Sequence, residues 1–186
     1  MKKIIITFGM LAGAINALMA TLLTNFGGEE LIHANAEWVG YLVMIIALSM
    51  IFVGVKQFRD KQLGGVIKFG KAFLVGLYIA LIASVIYVGV WEIYLAVSGV
   101  DFIAVYQDSL IQNMIADGAT QTEISAMKEE LQYYADIYKN PALRTLVTLS
   151  EILPVGLIIA LISAGLLRKS SFMPAEENVD PEAKAI

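Results

Sequence analysis

Four long apolar stretches occupy most of the chain and leave few ways to fold it. Ile4–Phe26 runs for 23 residues and Trp38–Val55 for 18 residues without a charge. Ala72–Val97 and Thr145–Leu167 each contain a single charge, Glu92 and Glu151. Each stretch is long enough as a helix to cross about 30 Å of hydrocarbon. Backbone in lipid must satisfy its own hydrogen bonds, so four helices are expected.

Composition excludes a soluble domain. Hydrophobic residues make up 58% of the chain and charged residues 16%, against about 45–50% and about 25% in soluble proteins. The absence of cysteine and the single histidine, His33, argue against disulfides, iron–sulfur clusters and thiolate or histidine metal sites. No metal, no cofactor and no nucleic-acid partner is expected. There is no HExxH, phosphate-binding loop or nucleophile–base pairing, so the chain does not read as an enzyme.

Charge sets the expected topology. Lys2, Lys3, Lys56, Arg59, Lys61, Lys68, Lys71, Arg168, Lys169 and Lys184 all fall on one side of the four spans. The first connection, with Glu29, Glu30 and Glu37, has no basic residue, and the third has only Lys128, Lys139 and Arg144 among many acids. The positive-inside rule puts both termini in the cytoplasm. Trp38 and Trp91 then fall near the outer interface, where indoles favour the headgroup layer. The N-terminal run also resembles a signal peptide with Ala20 at a cleavage site, but it exceeds the usual 7–15-residue apolar core and reads better as a retained span.

Residues 1–169 thus read as an all-α, integral membrane four-helix bundle with spans near 4–26, 38–55, 72–97 and 145–167, and residues 170–186 as a disordered cytoplasmic tail. Between spans three and four, 98–144 reads as a helical extracytoplasmic insert. Asp101 can cap its first helix, Asp117-Gly118 break it, Thr120 and Glu123 form a capping box, and Asn140-Pro141 end the second helix. Segment 56–71 reads either as the basic flanks of two spans or as a short interfacial helix. Gly9 and Gly13 form a GxxxG pair which, with Asn16 and Ala17, suits close helix packing inside the bundle or a dimer interface.

The order of a basic loop leading into GGVIKFGKAFLVGLYIALIASVIYVGVWEIY (Gly64 to Tyr94), an insert with GATQTEISAMKEELQYY (Gly118 to Tyr134), Asn140-Pro141 and a final span closing on LLRK resembles a bacterial family of four-span membrane proteins catalogued as a domain of unknown function. The resemblance implies fold and membrane location and carries over no functional residue.

Chemistry is expected to concentrate where charge enters lipid, at about 2.5–3.5 kcal/mol per group. Glu92 lies about 7 Å from the outer end of its span, and Glu151 about 10 Å beyond Arg144. Arg144, Thr148 and Glu151 share one helical face, so Glu92, Glu151, Arg144 and Thr148 form a candidate polar cluster, with Pro154 beside it removing a backbone hydrogen bond. Ser84, Gly89, Glu92 and Ala96 suggest the wall of an outward-opening polar cavity, or else the glutamates simply anchor at the interface. Two functions follow: a non-enzymatic interaction or accessory protein in the bacterial inner membrane, using its insert, or a small proton-coupled carrier using Glu92 and Glu151. Membrane lipid, a protein partner at the insert and a second copy of the chain are the expected partners.

Overall fold

The computed structural model describes residues 1–26, 28–99 and 101–175, with backbone alone for 24–26 and 28–37. Of the tail proposed at 170–186, residues 176–186 lie outside the described residues, as does the side chain of His33, whereas 170–175 are described. Among the described residues seven helices follow one another: α1 (Lys2–Phe26), α2 (Gly28–Leu48), α3 (Met50–Leu63), α4 (Phe69–Ser98), α5 (Phe102–Ala116), α6 (Gln121–Lys139) and α7 (Pro141–Leu167). Lys2–Leu23, Trp38–Leu63, Phe69–Ser98 and Pro141–Leu167 are long and apolar enough to cross a membrane. The chain is an all-α, four-span bundle.

Two boundaries differ from the sequence reading. The first connection is helical from Gly28 onward. The second span breaks only at Ser49, whose hydroxyl donates to the Ile46 carbonyl at 2.6 Å, and then continues to Leu63. Segment 56–71 therefore forms no separate interfacial helix. Its first half extends span two, Gly64 and Gly65 close it with φ of 63° and 88°, and Gly65 N–H caps the Arg59 carbonyl at 3.1 Å, as helix ends with left-handed glycine do.

Helix α4 lies at the centre, packed against α1, α3 and α7. Its buried stripe recurs every three or four residues: Ala72, Val75, Gly76, Ile79, Ala80, Ala83, Ser84, Tyr87, Val88 and Trp91. On one side a methyl at Gly9 would fall 2.6 Å from Ile82 Cβ, and one at Gly13 2.8 Å from Ile86 Cβ. Both contacts step forward together, so α1 and α4 run parallel. The GxxxG pair thus packs inside the bundle, with Asn16 and Ala17 buried farther along α1. The Asn16 Nδ2 has no hydrogen-bond partner among the described residues.

On the other side a methyl at Gly76 would lie 2.9 Å from Ala160 Cβ, and one at Gly156 2.9 Å from Ala80 Cβ. Numbers rise on one helix as they fall on the other, so α7 is antiparallel to α4. Two small-xxx-small pairs, Gly76/Ala80 and Gly156/Ala160, face each other and let the backbones approach closely.

Arg59 closes the end where α3 and α7 finish. It is fully buried, with Nε 2.6 Å from Asp60 Oδ1, Nη1 donating to the carbonyls of Leu167 at 3.4 Å and Phe172 at 2.9 Å, and Nη2 donating to the Met173 carbonyl. It caps α7 and holds the turn after it. Phe172 packs edge-on against Phe52, centroids 6.4 Å apart.

Helices α5 and α6, between the third and fourth spans, form as their capping residues require. Asp101 accepts from Ala104 N at 3.1 Å, and the Thr120–Glu123 capping box is complete. Asn140 caps α7, accepting from Ala142 N at 3.0 Å, with Pro141 at the first helical position. Span four therefore begins at Pro141, earlier than its apolar run, and continues through Pro154 as one helix.

Replacing Gly156 by Leu should force α7 from α4 and destabilise the bundle by about 1–3 kcal/mol, read as a lower Tm in detergent. Gly165→Leu on the same helix should leave Tm near wild type, because nothing lies within 4 Å of a methyl there; equal losses would refute the packing. At the capping box, the Thr120 backbone N–H and hydroxyl hold the Glu123 carboxyl below its ordinary range. A depressed folded pKa contributes stability above the unfolded value of about 4.3 and loses it as pH falls through the lower folded value. Amide protection at Gln121–Ile124 should therefore drop on acidification in the wild type, and Glu123→Gln should abolish that pH dependence.

Candidate functional site

The end of α4 and the start of α7 meet α5 and α6 through charge and aromatic contacts. Arg144, one turn into α7, grips Glu92 on α4 with two parallel hydrogen bonds. Nε donates to Oε1 at 2.8 Å and Nη2 to Oε2. The side chains keep 17% and 25% of their exposure, which places the pair at the rim of the bundle. The remaining Arg144 nitrogen, Nη1, donates to the Tyr138 carbonyl at 3.1 Å, in the last turn of α6, and the guanidinium lies 5.7 Å from the Tyr138 ring centroid. A planar fork suits this double grip in a way an ammonium could not.

Trp91 supplies the second half of the joint. It is 9% exposed, with its indole N–H donating to the Tyr138 hydroxyl at 3.0 Å. Its ring stacks on Tyr94 at 5.5 Å and meets Phe102 of α5 edge-on at 4.9 Å. Trp91 is thus no lipid-facing belt residue. The insert covers it, and its polar N–H finds a protein partner in place of a headgroup. Trp38, 78% exposed, remains free to take a belt position. Within the insert, Gln107 Nε2 donates to the Leu131 carbonyl at 2.6 Å and ties α5 to α6.

Burial pushes the Tyr138 phenol above its ordinary pKa. The Glu151 charge acts in the same direction, while hydrogen bonds to Trp91 and Thr148 and the charge of Arg144 oppose it. The neutral phenol is the form this joint holds.

The four residues of the candidate cluster do not all meet. Glu92 and Arg144 pair; Thr148 is buried and donates to the Arg144 carbonyl at 3.1 Å. Glu151 is exposed on the bundle surface, and among the described residues no hydrogen bond or ion pair joins it to Glu92 or Arg144. About 10 Å of helical rise separates it from Arg144, whose side chain is directed to Glu92 and Tyr138. The expected polar cavity is not built from the residues proposed for it. Gly89 and Ala96 are exposed, Ser84 turns its hydroxyl back to the Ala80 carbonyl at 2.9 Å, and buried Tyr87 and Trp91 line the inner face. A concavity of about 620 Å³ lies instead at the α5–α6 elbow, between Met114, Asp117, Glu123, Met127 and Glu130.

Two participants escaped the sequence reading. Tyr138 was legible only as one apolar position of α6, and Arg59 only as one basic flank among several. The i, i+4, i+8 spacing of Ile51, Val55 and Arg59 along one helical face was the available signal for Arg59. Among the described residues no group of three or more histidine, cysteine, aspartate or glutamate side chains could hold a metal ion.

A family model, described as protein of unknown function (DUF4199), matches residues 7–169. The chain belongs to this family. The match begins within α1, takes in the other three membrane helices with α5 and α6, and stops just before the turn that Arg59 holds. No match was found among curated proteins or solved structures.

If Glu92 and Arg144 act as one unit, Glu92→Gln and Arg144→Gln should each destabilise the protein. The double variant should then cost less than the sum, with a coupling of about 1–3 kcal/mol. Additive costs in detergent unfolding would show that the two act independently.

Proposed function

We propose that the chain is a non-enzymatic accessory protein of the bacterial inner membrane, with cytoplasmic termini and an extracytoplasmic insert that receives a protein partner. The observation that carries this reading is the surface of α5 and α6. Tyr133 is 68% exposed, Ile115 58%, Val105 51% and Tyr134 48%, on a helix pair fixed to the bundle through Glu92, Arg144, Trp91 and Tyr138. Aromatic side chains on a rigid support offer large contact area at low entropy cost.

Charge indicates the partner's chemistry. Asp101, Asp108, Asp117, Glu123, Glu129, Glu130 and Asp136 are all exposed on the insert and its first cap, against Lys128 and Lys139. A partner surface combining apolar and basic residues fits. The orientation rests on the exposed cations gathered at the opposite end of the bundle.

The carrier reading draws less support from this geometry. A coupling carboxylate must change charge in the cycle, yet Glu92 is clamped by a guanidinium, and Glu151 has no hydrogen bond or ion pair among the described residues.

A photo-crosslinker at Tyr133 or Tyr134 should yield a discrete adduct with another protein in intact membranes, weakened by salt because the attraction is exposed. Adducts with lipid, solvent and the chain itself alone would sink the proposal.

A further inference from the structure

The end of the bundle opposite the insert gathers positive charge without releasing a counterion. Arg59 brings the end of α7 onto the end of α3, and the Met1 nitrogen donates to Gln62 Oε1 at 2.6 Å, placing the start of α1 beside them. The parallel run of α1 and α4 puts the start of α4 at the same end. Lys2, Lys3, Lys61, Lys68, Arg168 and Lys169 are exposed there. None of them makes an ion pair among the described residues. Asp60 is engaged on both oxygens, by Lys56 at 2.6 Å and Arg59 at 2.6 Å, so it neutralises none of the six.

The segment joining α3 to α4 adds an apolar edge to this charge. Ile67 is buried at 3% and plugs the core, while its neighbours Val66, 62% exposed, and Phe69, 40% exposed, face outward on either side of Lys68. Alternating exposed apolar and cationic residues at the end of a membrane span match a phospholipid, with acyl chain beside Val66 and Phe69 and phosphate beside the cations.

We propose that this end of the bundle is a binding surface for anionic phospholipid, with the headgroup phosphate held among Lys61, Lys68 and Arg168. It is independent of the insert's role and of which aqueous phase this end faces. Each cation contributes about a fivefold gain in affinity at the membrane surface, and salt screens it.

The test titrates short-chain phosphatidylglycerol into the full chain in a nonionic detergent, with phosphatidylcholine of the same chain length and inorganic phosphate as comparisons. Phosphatidylglycerol should bind more tightly than both, because it alone offers an anion and an acyl chain. Substituting Lys61→Gln, Lys68→Gln and Arg168→Gln together should weaken it about a hundredfold, while leaving Tm in phosphatidylcholine near that of the wild type. Equal binding of phosphatidylglycerol by wild type and triple variant, or equal binding of the two lipids by wild type, would overturn the proposal. So would inorganic phosphate binding as tightly as the lipid. The four acids at Glu176, Glu177, Asp180 and Glu182 supply the remaining arm. If phosphatidylglycerol binds only after residues 176–186 are deleted, the occupant is the chain's own acidic segment and the lipid assignment fails.

Discussion

Everything in this fold depends on how closely α4 can approach its neighbours. Lipid tails are as apolar as leucine, so burying apolar side chains between membrane helices gains little. Attraction must come from contact at short range, and contact requires small residues. Gly76 and Ala80 against Ala160 and Gly156, with Gly9 and Gly13 against Ile82 and Ile86, provide it on two sides of one helix. The buried polar groups Ser84 and Ser163 do not disturb this packing, because each hydroxyl bonds a carbonyl of its own helix. Asn16 is the exception, buried with its amide nitrogen unpartnered among the described residues.

That close-packed centre explains why the two ends can be built so differently. At the end bearing the chain's first residue, Arg59 is enclosed and satisfied by one carboxylate and three carbonyls, so removing it would orphan a helix terminus. At the other end, Arg144 is half open and divides its donors between a carboxylate on α4 and a carbonyl on α6. One arginine closes the bundle; the other fastens an additional pair of helices to it. Both use the same chemistry, a forked cation that can satisfy backbone and carboxylate oxygens together.

The span count and the two capped helices between spans three and four were legible because each follows from local rules: apolar length, an Asp or Thr before a helix, and Asn-Pro between two. The pairing of Glu92 with Arg144 was legible as a possibility from depth alone. Its selection over Glu151 was not, since both carboxylates lie at similar depths and the choice depends on how α4 and α7 rotate about each other. That rotation is fixed by Gly76, Ala80, Gly156 and Ala160, whose small size carries no periodic signal strong enough to stand out in runs already rich in Ala and Gly. Trp91 was misplaced for a related reason. A tryptophan near a span end belongs to the interfacial belt unless something covers it, and what covers it here, Phe102 and Tyr138, lies 11 and 47 residues away in sequence.

The placement of charge divides between the two ends of the bundle and one flank. Here the charged side chains within the spans are largely committed to architecture: Lys56, Arg59 and Asp60 to one end, Glu92 and Arg144 to the other. Glu151 remains exposed, without a hydrogen bond or ion pair among the described residues, on the helix that carries Arg144. Among the described residues the paired charges thus lie at the two ends of the bundle, with close-packed small residues between them.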